Sequence, residues 1–268
     1  MIAIDTRLEI HLSESCNLRC RGCTHFSDLL TGGVKSLAEV SAQLEPWSRR
    51  ISVKEVVLLG GEPALNPDLT NIINLSRSLF PETPIVILTN GFLLSKHEGL
   101  AECLLKNRVQ LGVSVHENTP AYRAKIQPAL DLLSQWQRMG IVLEVWNTWQ
   151  CWTKPYVDSP DGPVPFSDNN KYAAWSACNV PARKCAQLRD NCVWKCPLVA
   201  YMPLVCKKLP KIASQWPELH NYQPLRLSAT DNEIVDFFAR GAEDVCKYCS
   251  ILPEKTEYQD SSFSDLIK

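Results

Sequence analysis

Residues 7–23 read RLEIHLSESCNLRCRGC, an alternating stretch followed at once by closely spaced cysteines. Polar and apolar residues alternate over its first part, which is typical of a β-strand. Cys16, Cys20 and Cys23 then follow with C-x3-C-x2-C spacing. Three thiolates on one short loop can hold three corners of a cubane iron–sulfur cluster, because cysteine thiolate is the usual ligand of such clusters. The remaining iron is then open to a substrate or a second cofactor.

Two other interpretations of this loop are weaker. A structural zinc site needs four ligands, usually with zinc-knuckle spacing. A disulfide knot needs an oxidising compartment, whereas the first residues, Met1 to Asp5, lack the basic segment and apolar core of a secretory signal. We therefore predict a cytoplasmic protein whose first three cysteines bind an iron–sulfur cluster.

The composition excludes several classes of protein. The chain has 268 residues, of which 45% are hydrophobic and 21% charged, as in ordinary globular proteins. The net charge of −1 argues against a general nucleic-acid binder, and the absence of a long apolar run argues against a membrane span. Twelve cysteines in a reducing compartment need a role other than disulfides, and iron–sulfur ligation provides one. Their uneven distribution predicts two clusters in two regions.

Strands alternate with helices before residue 150, which predicts an α/β fold with a parallel sheet, because parallel neighbours need a crossover connection. The predicted strands are 7–12, 55–59, 84–88, 109–115 and 141–147, and the predicted helices are 36–50, 68–80, 95–107 and 128–139. Five strands are too few for a closed eight-stranded barrel.

Polar or glycine-rich segments follow three of these strands. They are Gly60-Gly61-Glu62-Pro63, Thr89-Asn90-Gly91, and the segment from Ser114 to His116. Glycines at a strand end allow a ligand to approach the backbone closely. Because the carboxyl ends of parallel strands meet at one edge, we expect all three segments to border one site.

With these motifs, the chain resembles the radical S-adenosylmethionine (SAM) superfamily. The resemblance implies a partial, open TIM-like β/α barrel over residues 1–150, with a [4Fe-4S] cluster whose open iron chelates SAM. It also implies reductive cleavage of SAM to a 5′-deoxyadenosyl radical, which abstracts hydrogen from the substrate. The cofactor-binding residues that it implies are Gly60, Gly61, Glu62, Pro63, Asn90, Ser114 and His116.

The second region, residues 151–268, begins with a proline-rich linker and holds most of the remaining cysteines. Residues 185–197 predict a β-hairpin that turns at Asp190-Asn191, where alternating residues flank the turn. A helix is predicted over 233–240, and Cys246 and Cys249 follow it in C-x2-C spacing.

This arrangement resembles the small C-terminal auxiliary-cluster domain called SPASM, or its shortened form, twitch, built from a β-hairpin and a helix. Asn191 stands where that family usually has glycine, a mild departure because asparagine tolerates the left-handed conformation. The resemblance implies a second, auxiliary [4Fe-4S] cluster held by four of five cysteines: Cys178, Cys185, Cys196, Cys246 and Cys249. The fourth ligand is Cys178 or Cys185, and a zinc ribbon remains an alternative for the whole set.

The expected function is that of a radical SAM oxidoreductase or isomerase. A compact chain, with no room before residue 7 for a leader-peptide recognition domain, favours oxidation or epimerisation of a small polar substrate of the sugar or aminocyclitol type. The expected partners are that substrate and an electron donor such as flavodoxin or ferredoxin. Candidate hydrogen donors are Cys151, Cys192 and Cys206. The alternatives are a maturase that epimerises or cross-links a ribosomally made peptide, and a non-catalytic zinc-binding interaction protein.

Overall fold

The computed structural model describes residues 1–148, 154–180 and 184–251. In this part of the chain, the strands are β1 (Ile2–His11), β2 (Ile51–Leu59), β3 (Ile85–Thr89), β4 (Val109–Val115), β5 (Leu143–Asn147), β6 (Val157–Ser159), β7 (Gly162–Val164), β8 (Cys185–Arg189), β9 (Cys192–Trp194) and β10 (Leu225–Arg226). All except β6 and β7 form one eight-stranded sheet in the order β10-β9-β8-β1-β2-β3-β4-β5. The sheet is parallel from β8 to β5, and β9 and β10 pair antiparallel at its other end.

The described α-helices are α1 (Leu37–Ser48), α2 (Leu69–Leu79), α3 (Leu100–Lys106), α4 (Pro120–Arg138), α5 (Lys171–Ala177), α6 (Pro197–Lys208), α7 (Pro217–His220) and α8 (Asp231–Ala239). Local sequence explains several starts. In α1, the Ser36 hydroxyl accepts from the Glu39 backbone N–H and the Glu39 carboxylate accepts in return, a capping box that satisfies donors without a helical partner. The same arrangement of Thr230 and Glu233 begins α8.

The predicted fold class is confirmed: the molecule is α/β, with a mainly parallel sheet that does not close into a full barrel. The hairpin differs from expectation in one respect. Its first strand, β8, pairs in parallel with β1, from Arg7 opposite Cys185 to Ile10 opposite Leu188. The second region therefore adds a sixth parallel strand to the sheet of the first, and the domain boundary at residue 150 stays a prediction.

Some helix boundaries were predicted wrongly. The helix expected over 128–139 begins at Pro120, because the Thr119 hydroxyl caps the chain by accepting from the Tyr122 N–H, and Pro128 lies inside the helix. The helix expected over 95–107 is shorter, with a separate 3₁₀ turn at Leu94–Lys96. Helices α5, α6 and α7, which lie in the cysteine-rich second region, were not predicted from the sequence.

The two faces of the sheet differ in chemistry. Leu8 and Ile10 of β1 belong to the main apolar core, to which α1 contributes Val40 and Leu44. Because side chains alternate along a strand, the intervening residues of β1 point to the inner side of the partial barrel; they are Arg7, Glu9 and His11. A second apolar core lies around α6 and includes Phe26, Tyr156 and Trp216. None of the described helices is long and apolar enough to cross a bilayer.

Candidate functional site

The cysteine loop follows directly from the carboxyl end of β1. The Cys23 N–H donates to the Cys20 carbonyl over 3.0 Å, and the Phe26 N–H donates to the Cys23 carbonyl over 2.9 Å, so the loop folds as successive tight turns. The Leu18 N–H points at Cys16 Sγ over 3.3 Å. The loop therefore has internal bonds of its own that fix the backbone on which Cys16, Cys20 and Cys23 stand.

The Gly60-Gly61 segment lies against this loop, backbone to backbone. The Gly61 N–H donates to the Ser13 carbonyl over 2.8 Å, and the Glu62 N–H donates to the Ser15 carbonyl over 2.9 Å. A Cβ at Gly61 would lie 2.2 Å from the Ser15 carbonyl oxygen, which no side chain tolerates. The glycines are thus explained by the close approach of the two loops.

Glu62 joins the second loop to the third. Its carboxylate accepts from the Thr89 hydroxyl over 2.6 Å, from the Asn90 N–H over 2.8 Å and from the Ala64 N–H over 3.0 Å. Burial raises the pKa of Glu62 to about 7, although these hydrogen bonds favour the ionised form. These hydrogen bonds of Glu62 therefore hold the loop after β2 against the loop after β3.

Asn90 connects the loop after β3 to the cysteine loop. Its amide Nδ2 donates to Asn17 Oδ1 over 2.7 Å and lies 3.7 Å from Cys16 Sγ. The Asn90 Oδ1 accepts from the Phe92 N–H over 3.2 Å, which orients the amide. The predicted segments at the ends of β1, β2 and β3 thus meet within hydrogen-bond distance of each other.

Ser114 and His116 lie at the same end of the sheet, at and just beyond the end of β4. Ser114 pairs in register with Trp146 of β5. The His116 N–H donates to the Tyr122 hydroxyl over 3.1 Å, and its Nδ1 lies 3.0 Å from Thr148 Oγ1. Both residues are placed at the expected rim, and their contact with SAM stays a prediction.

Residues from the second region support the cysteine loop. The Tyr156 hydroxyl donates to Asp28 Oδ2 over 2.7 Å, and both oxygens accept from the Gly22 N–H, between Cys20 and Cys23, over 3.1 and 3.0 Å. Gly22 has a positive φ of 74°, a conformation that favours glycine. The cluster loop is therefore held partly by a side chain more than a hundred residues away in the chain.

A buried polar network lies on the inner face of the sheet, beside the cysteine loop. Glu9 Oε2 accepts from Gln187 Nε2 over 2.6 Å and lies 3.5 Å from His25 Nε2. The His11 ring stacks on Tyr201, with centroids 4.1 Å apart. Burial lowers the pKa of His11 to about 4, so its imidazole is neutral, and its Nε2 has no partner among the described residues. The inside of the partial barrel is thus polar.

Four of the five cysteines predicted for the second cluster line one cavity. Cys178 follows α5, Cys196 precedes α6, and Cys246 and Cys249 lie in and just after the 3₁₀ turn Asp244–Tyr248. Apolar groups such as Trp175 and Leu198 complete the lining.

The other cysteines lie elsewhere. Cys185 begins β8 opposite Arg7 and is not among the residues that line the cavity. Cys192 lies on β9 opposite Arg226 of β10. Cys206 is buried in the second apolar core, and its role as a hydrogen donor stays a prediction, as does that of Cys192. Cys151, the remaining candidate donor, lies outside the described residues.

Both sets of thiols are chemically suited to metal. Burial raises the pKa of Cys16, and it raises the pKa of Cys23 to about 11 and that of Cys196 to about 12. Such thiols stay protonated at neutral pH unless a cation is bound, and a metal ion deprotonates a coordinating thiol outright. Three thiols on the first loop and four around the second cavity match the donor sets of iron–sulfur clusters.

The hydrogen-bonding roles of Asn17, Tyr156 and the polar network were not predicted from the sequence. The alternation in β1 already contained a signal, because Glu9 and His11 occupy the face opposite Leu8 and Ile10. No local pattern pointed to Tyr156 or Asn17, whose roles depend on contacts distant in the chain.

Comparison with known proteins gives one family match. Residues 10–137 match the family described as the radical SAM superfamily. The matched range runs from the end of β1 into α4, and so contains the cysteine loop, the Gly60–Pro63 segment, Asn90 and His116.

Curated relatives match over part of their length. The GTP 3′,8-cyclase of Paenarthrobacter nicotinovorans is 33% identical over 118 residues, which are 42% of this chain and 33% of that protein. The GTP 3′,8-cyclase of Aquifex aeolicus is 31% identical over 143 residues, 52% of this chain and 42% of that protein. The chain therefore spans less than half the length of these relatives.

Among solved structures, that of BtrN in complex with AdoMet and 2-DOIA has a TM-score of 0.53 at 16% identity, covering 96% of this chain and 97% of that chain. This likeness shows the fold. Streptococcus suis SuiB bound to precursor peptide SuiA gives a TM-score of 0.45 at 18% identity, covering 55% of this chain and 35% of that chain.

Proposed function

Because the chain carries a radical SAM domain at residues 10–137, we propose that it is an enzyme with two [4Fe-4S] clusters that oxidises or epimerises a small polar molecule. The first cluster and SAM would supply a 5′-deoxyadenosyl radical for hydrogen abstraction. Cys16, Cys20 and Cys23 would hold that cluster, since they stand on a loop fixed by its own hydrogen bonds.

SAM would lie across the three loops at the ends of β1, β2 and β3. The residues proposed to bind it are Gly60, Gly61, Glu62, Pro63, Asn90, Ser114 and His116. Close approach of the Gly61 backbone to Ser15, and the hydrogen bonds from Glu62 to Thr89 and Asn90, would keep these loops at a constant spacing. Preorganised loops of this kind reduce the entropy cost of binding a cofactor.

The observation that carries the proposal of a second cluster is the convergence of Cys178, Cys196, Cys246 and Cys249 on one cavity. Four thiols around one cavity match the donor set of a cubane cluster. A zinc ion takes the same number of sulfur ligands, so metal and sulfide analysis decides between the two.

The inner face of the sheet supports a small polar substrate. Arg7 and Glu55 form an ion pair at 2.5 Å on this face, and Glu9, Gln187 and His11 continue the polar lining towards the cysteine loop. Burying such groups is costly unless each is hydrogen-bonded, so a ligand rich in hydroxyl or amino groups suits the site better than an apolar one. BtrN, whose fold this chain shares, was crystallised with AdoMet and 2-DOIA, which is in keeping with a small ligand.

The cluster proposal is tested by iron and sulfide analysis of anaerobically prepared protein. Two cubanes give about eight irons per chain. The double variant Cys178→Ala, Cys196→Ala leaves two thiols, too few for a cubane, and should lose about half of the iron while keeping the SAM-binding cluster. Cys185→Ala, the matched control, should keep all of it. Stoichiometric zinc without sulfide would exclude the enzyme altogether.

The reaction is tested by measuring 5′-deoxyadenosine formed from SAM under reducing conditions. Sugars and aminocyclitols should raise its formation and be oxidised or epimerised in the same reaction. GTP and short peptides serve as parallel candidates. Turnover of GTP would instead align the chain with the cyclases that it partly matches, and stimulation by peptides alone would point to a peptide maturase.

A further inference from the structure

One side of the cavity between the four cysteines is lined by a charged side chain. Of the described residues that line it, Lys195 is the one with a formal positive charge, among otherwise apolar groups and thiols. Its side chain is only 10% exposed, and its Nζ lies 4.3 Å from the centroid of the Trp175 ring. A mostly buried ammonium group therefore faces the place proposed for the second cluster.

Glu243 holds this lysine in place. Its Oε2 lies 2.7 Å from Lys195 Nζ, and Lys195 also donates to the Gly241 carbonyl. Glu243 lies three residues before Cys246, whose N–H donates to the Glu243 carbonyl over 2.9 Å. The Tyr222 hydroxyl and Arg240 complete its contacts, each at 3.3 Å. The ion pair is thus part of the framework that positions Cys246.

Two opposite charges lie beside the thiols. Lys195 directly precedes Cys196 and lines the same cavity as Cys178 and Cys246. The Glu243 carboxylate lies 2.7 Å from Lys195 Nζ, and the Glu243 carbonyl accepts from the Cys246 N–H. Both charges are therefore close enough to influence any negative charge that develops in the cavity.

The reduction potential of an iron–sulfur cluster depends on nearby charge, hydrogen bonds and solvent exposure. An added electron places negative charge in the cavity, which a cation favours and an anion opposes, and low exposure strengthens both effects. The start of α6, directly after Cys196, adds the positive end of a helix dipole to the same wall.

We propose that Lys195 and Glu243 form a charge pair that sets the reduction potential of the second cluster, Lys195 raising it and Glu243 lowering it. The inference rests on the proposed function, since it needs a cluster at Cys178, Cys196, Cys246 and Cys249. Both are positioning residues, which act on the substrate only through the cluster.

The test is a redox titration of the full-length, two-cluster protein, followed by electron paramagnetic resonance. Lys195→Met should shift the midpoint potential of the second cluster to more negative values, and Glu243→Gln should shift it to more positive values. Lys195→Arg should restore the wild-type potential because it keeps the charge. The exposed Lys211, which pairs with Asp161, provides the control variant Lys211→Met, with no shift expected. The potential of the first cluster serves as an internal reference and should not move.

The two variants are expected to shift the midpoint potential of the second cluster in opposite directions. If the ion pair had only a structural role, its loss would shift the potential of both variants in the same direction. Two clusters with unshifted potentials, or with shifts of the same sign, would overturn the inference and leave the proposed function intact. A wild-type protein that holds one cluster would overturn the second cluster itself and this inference with it. If Lys195→Met does not load the second cluster, Glu243→Gln alone decides, and the absence of a positive shift contradicts the proposal.

Discussion

At the scale of single residues, the loops at the ends of β1 and β2 depend on positions where no side chain fits. Gly61 lies so close to the Ser15 carbonyl and the Cys16 nitrogen that a Cβ would approach them to 2.2 and 2.8 Å. Both contacts are with backbone, which cannot turn away as a flexible side chain can. The spacing between the cysteine loop and the Gly60–Pro63 segment is therefore set by the absence of one methyl group.

Gly61→Ala should force these loops apart. Overpacking of this kind costs about 1–3 kcal/mol, and if that cost falls on the bound state, SAM affinity drops about tenfold for each 1.4 kcal/mol. Equilibrium binding of SAM to the reconstituted protein measures it. Gly33→Ala is the matched control, because a Cβ at Gly33 meets nothing within 4 Å. Equal affinities for the two variants would contradict the proposed role of Gly61.

Glu62 should give the protein a pH-dependent stability. Burial raises its pKa from 4.5 to about 7, so the folded state binds a proton that the unfolded state releases between these values. The stabilising contribution of protonated Glu62 is complete below about pH 4.5 and is lost as the pH rises through about 7.

Melting temperatures of the SAM-free protein between about pH 5.5 and 8 test this. Glu62→Gln should be less stable overall by about 1–3 kcal/mol, because its amide donor meets N–H and O–H groups that need an acceptor. The difference in melting temperature between this variant and the wild type should shrink as the pH rises, because the wild type loses the contribution of protonated Glu62. A constant deficit across this range would show that Glu62 does not titrate there.

At the scale of elements, the hairpin of β8 and β9 depends on its two-residue turn. Asp190 and Asn191 both have positive φ, 53° and 58°, as the type I′ turn requires. The Asn191 carbonyl also accepts from Trp47 Nε1 over 3.2 Å, which attaches the turn to α1. The turn therefore fixes the register of the strand pair that leads to Cys196.

Asn191→Gly should be neutral or slightly stabilising, because glycine adopts positive φ freely. Asn191→Val should lower the free energy of unfolding by about 1–2 kcal/mol, the cost of the left-handed conformation for a residue with a branched Cβ. Both variants keep the carbonyl that Trp47 uses, so denaturant titration isolates the backbone effect. If valine and glycine give the same stability, the turn is not under this constraint.

At the scale of the whole molecule, the two regions share one sheet and one support for the cysteine loop. Helix α6 starts next to Cys196 and ends near the first loop, where Lys208 Nζ donates to the Leu29 carbonyl over 2.8 Å. Midway, Tyr201 stacks on His11. The helix thus connects the surroundings of the two proposed clusters. We therefore expect a substitution in the second region to change the stability of the first cluster.

Tyr156→Phe tests this connection. It removes the hydroxyl that donates to buried Asp28 and accepts from Gly22, which costs about 1–3 kcal/mol when a buried group loses its partner. The first cluster should then be lost faster in the presence of an iron chelator, measured from its visible absorbance. Tyr172→Phe is the control, because Tyr172 is 68% exposed. Identical rates of cluster loss would show that the second region does not stabilise the loop.

The spacing of residues along the chain was enough to predict the fold class and the segments that meet at the ends of β1, β2 and β3. The C-x3-C-x2-C loop, the glycine pair and the turn at Asp190-Asn191 all depend on residues that are neighbours in the chain. Alternation and helical periodicity located the five strands of the first half, with errors at helix ends such as Pro120. Such features are visible in a sequence because their physical causes act within a few residues.

The contacts between segments that are distant in the chain became visible only in three dimensions. The tertiary structure brought Cys178 to the cavity with Cys196, Cys246 and Cys249, and placed Cys185 on a strand beside β1. It also put Tyr156 beneath the cysteine loop and joined the hairpin to the barrel sheet. These outcomes depend on packing and hydrogen bonds between residues that are far apart in the chain, and the energy of such contacts has no signature in local sequence.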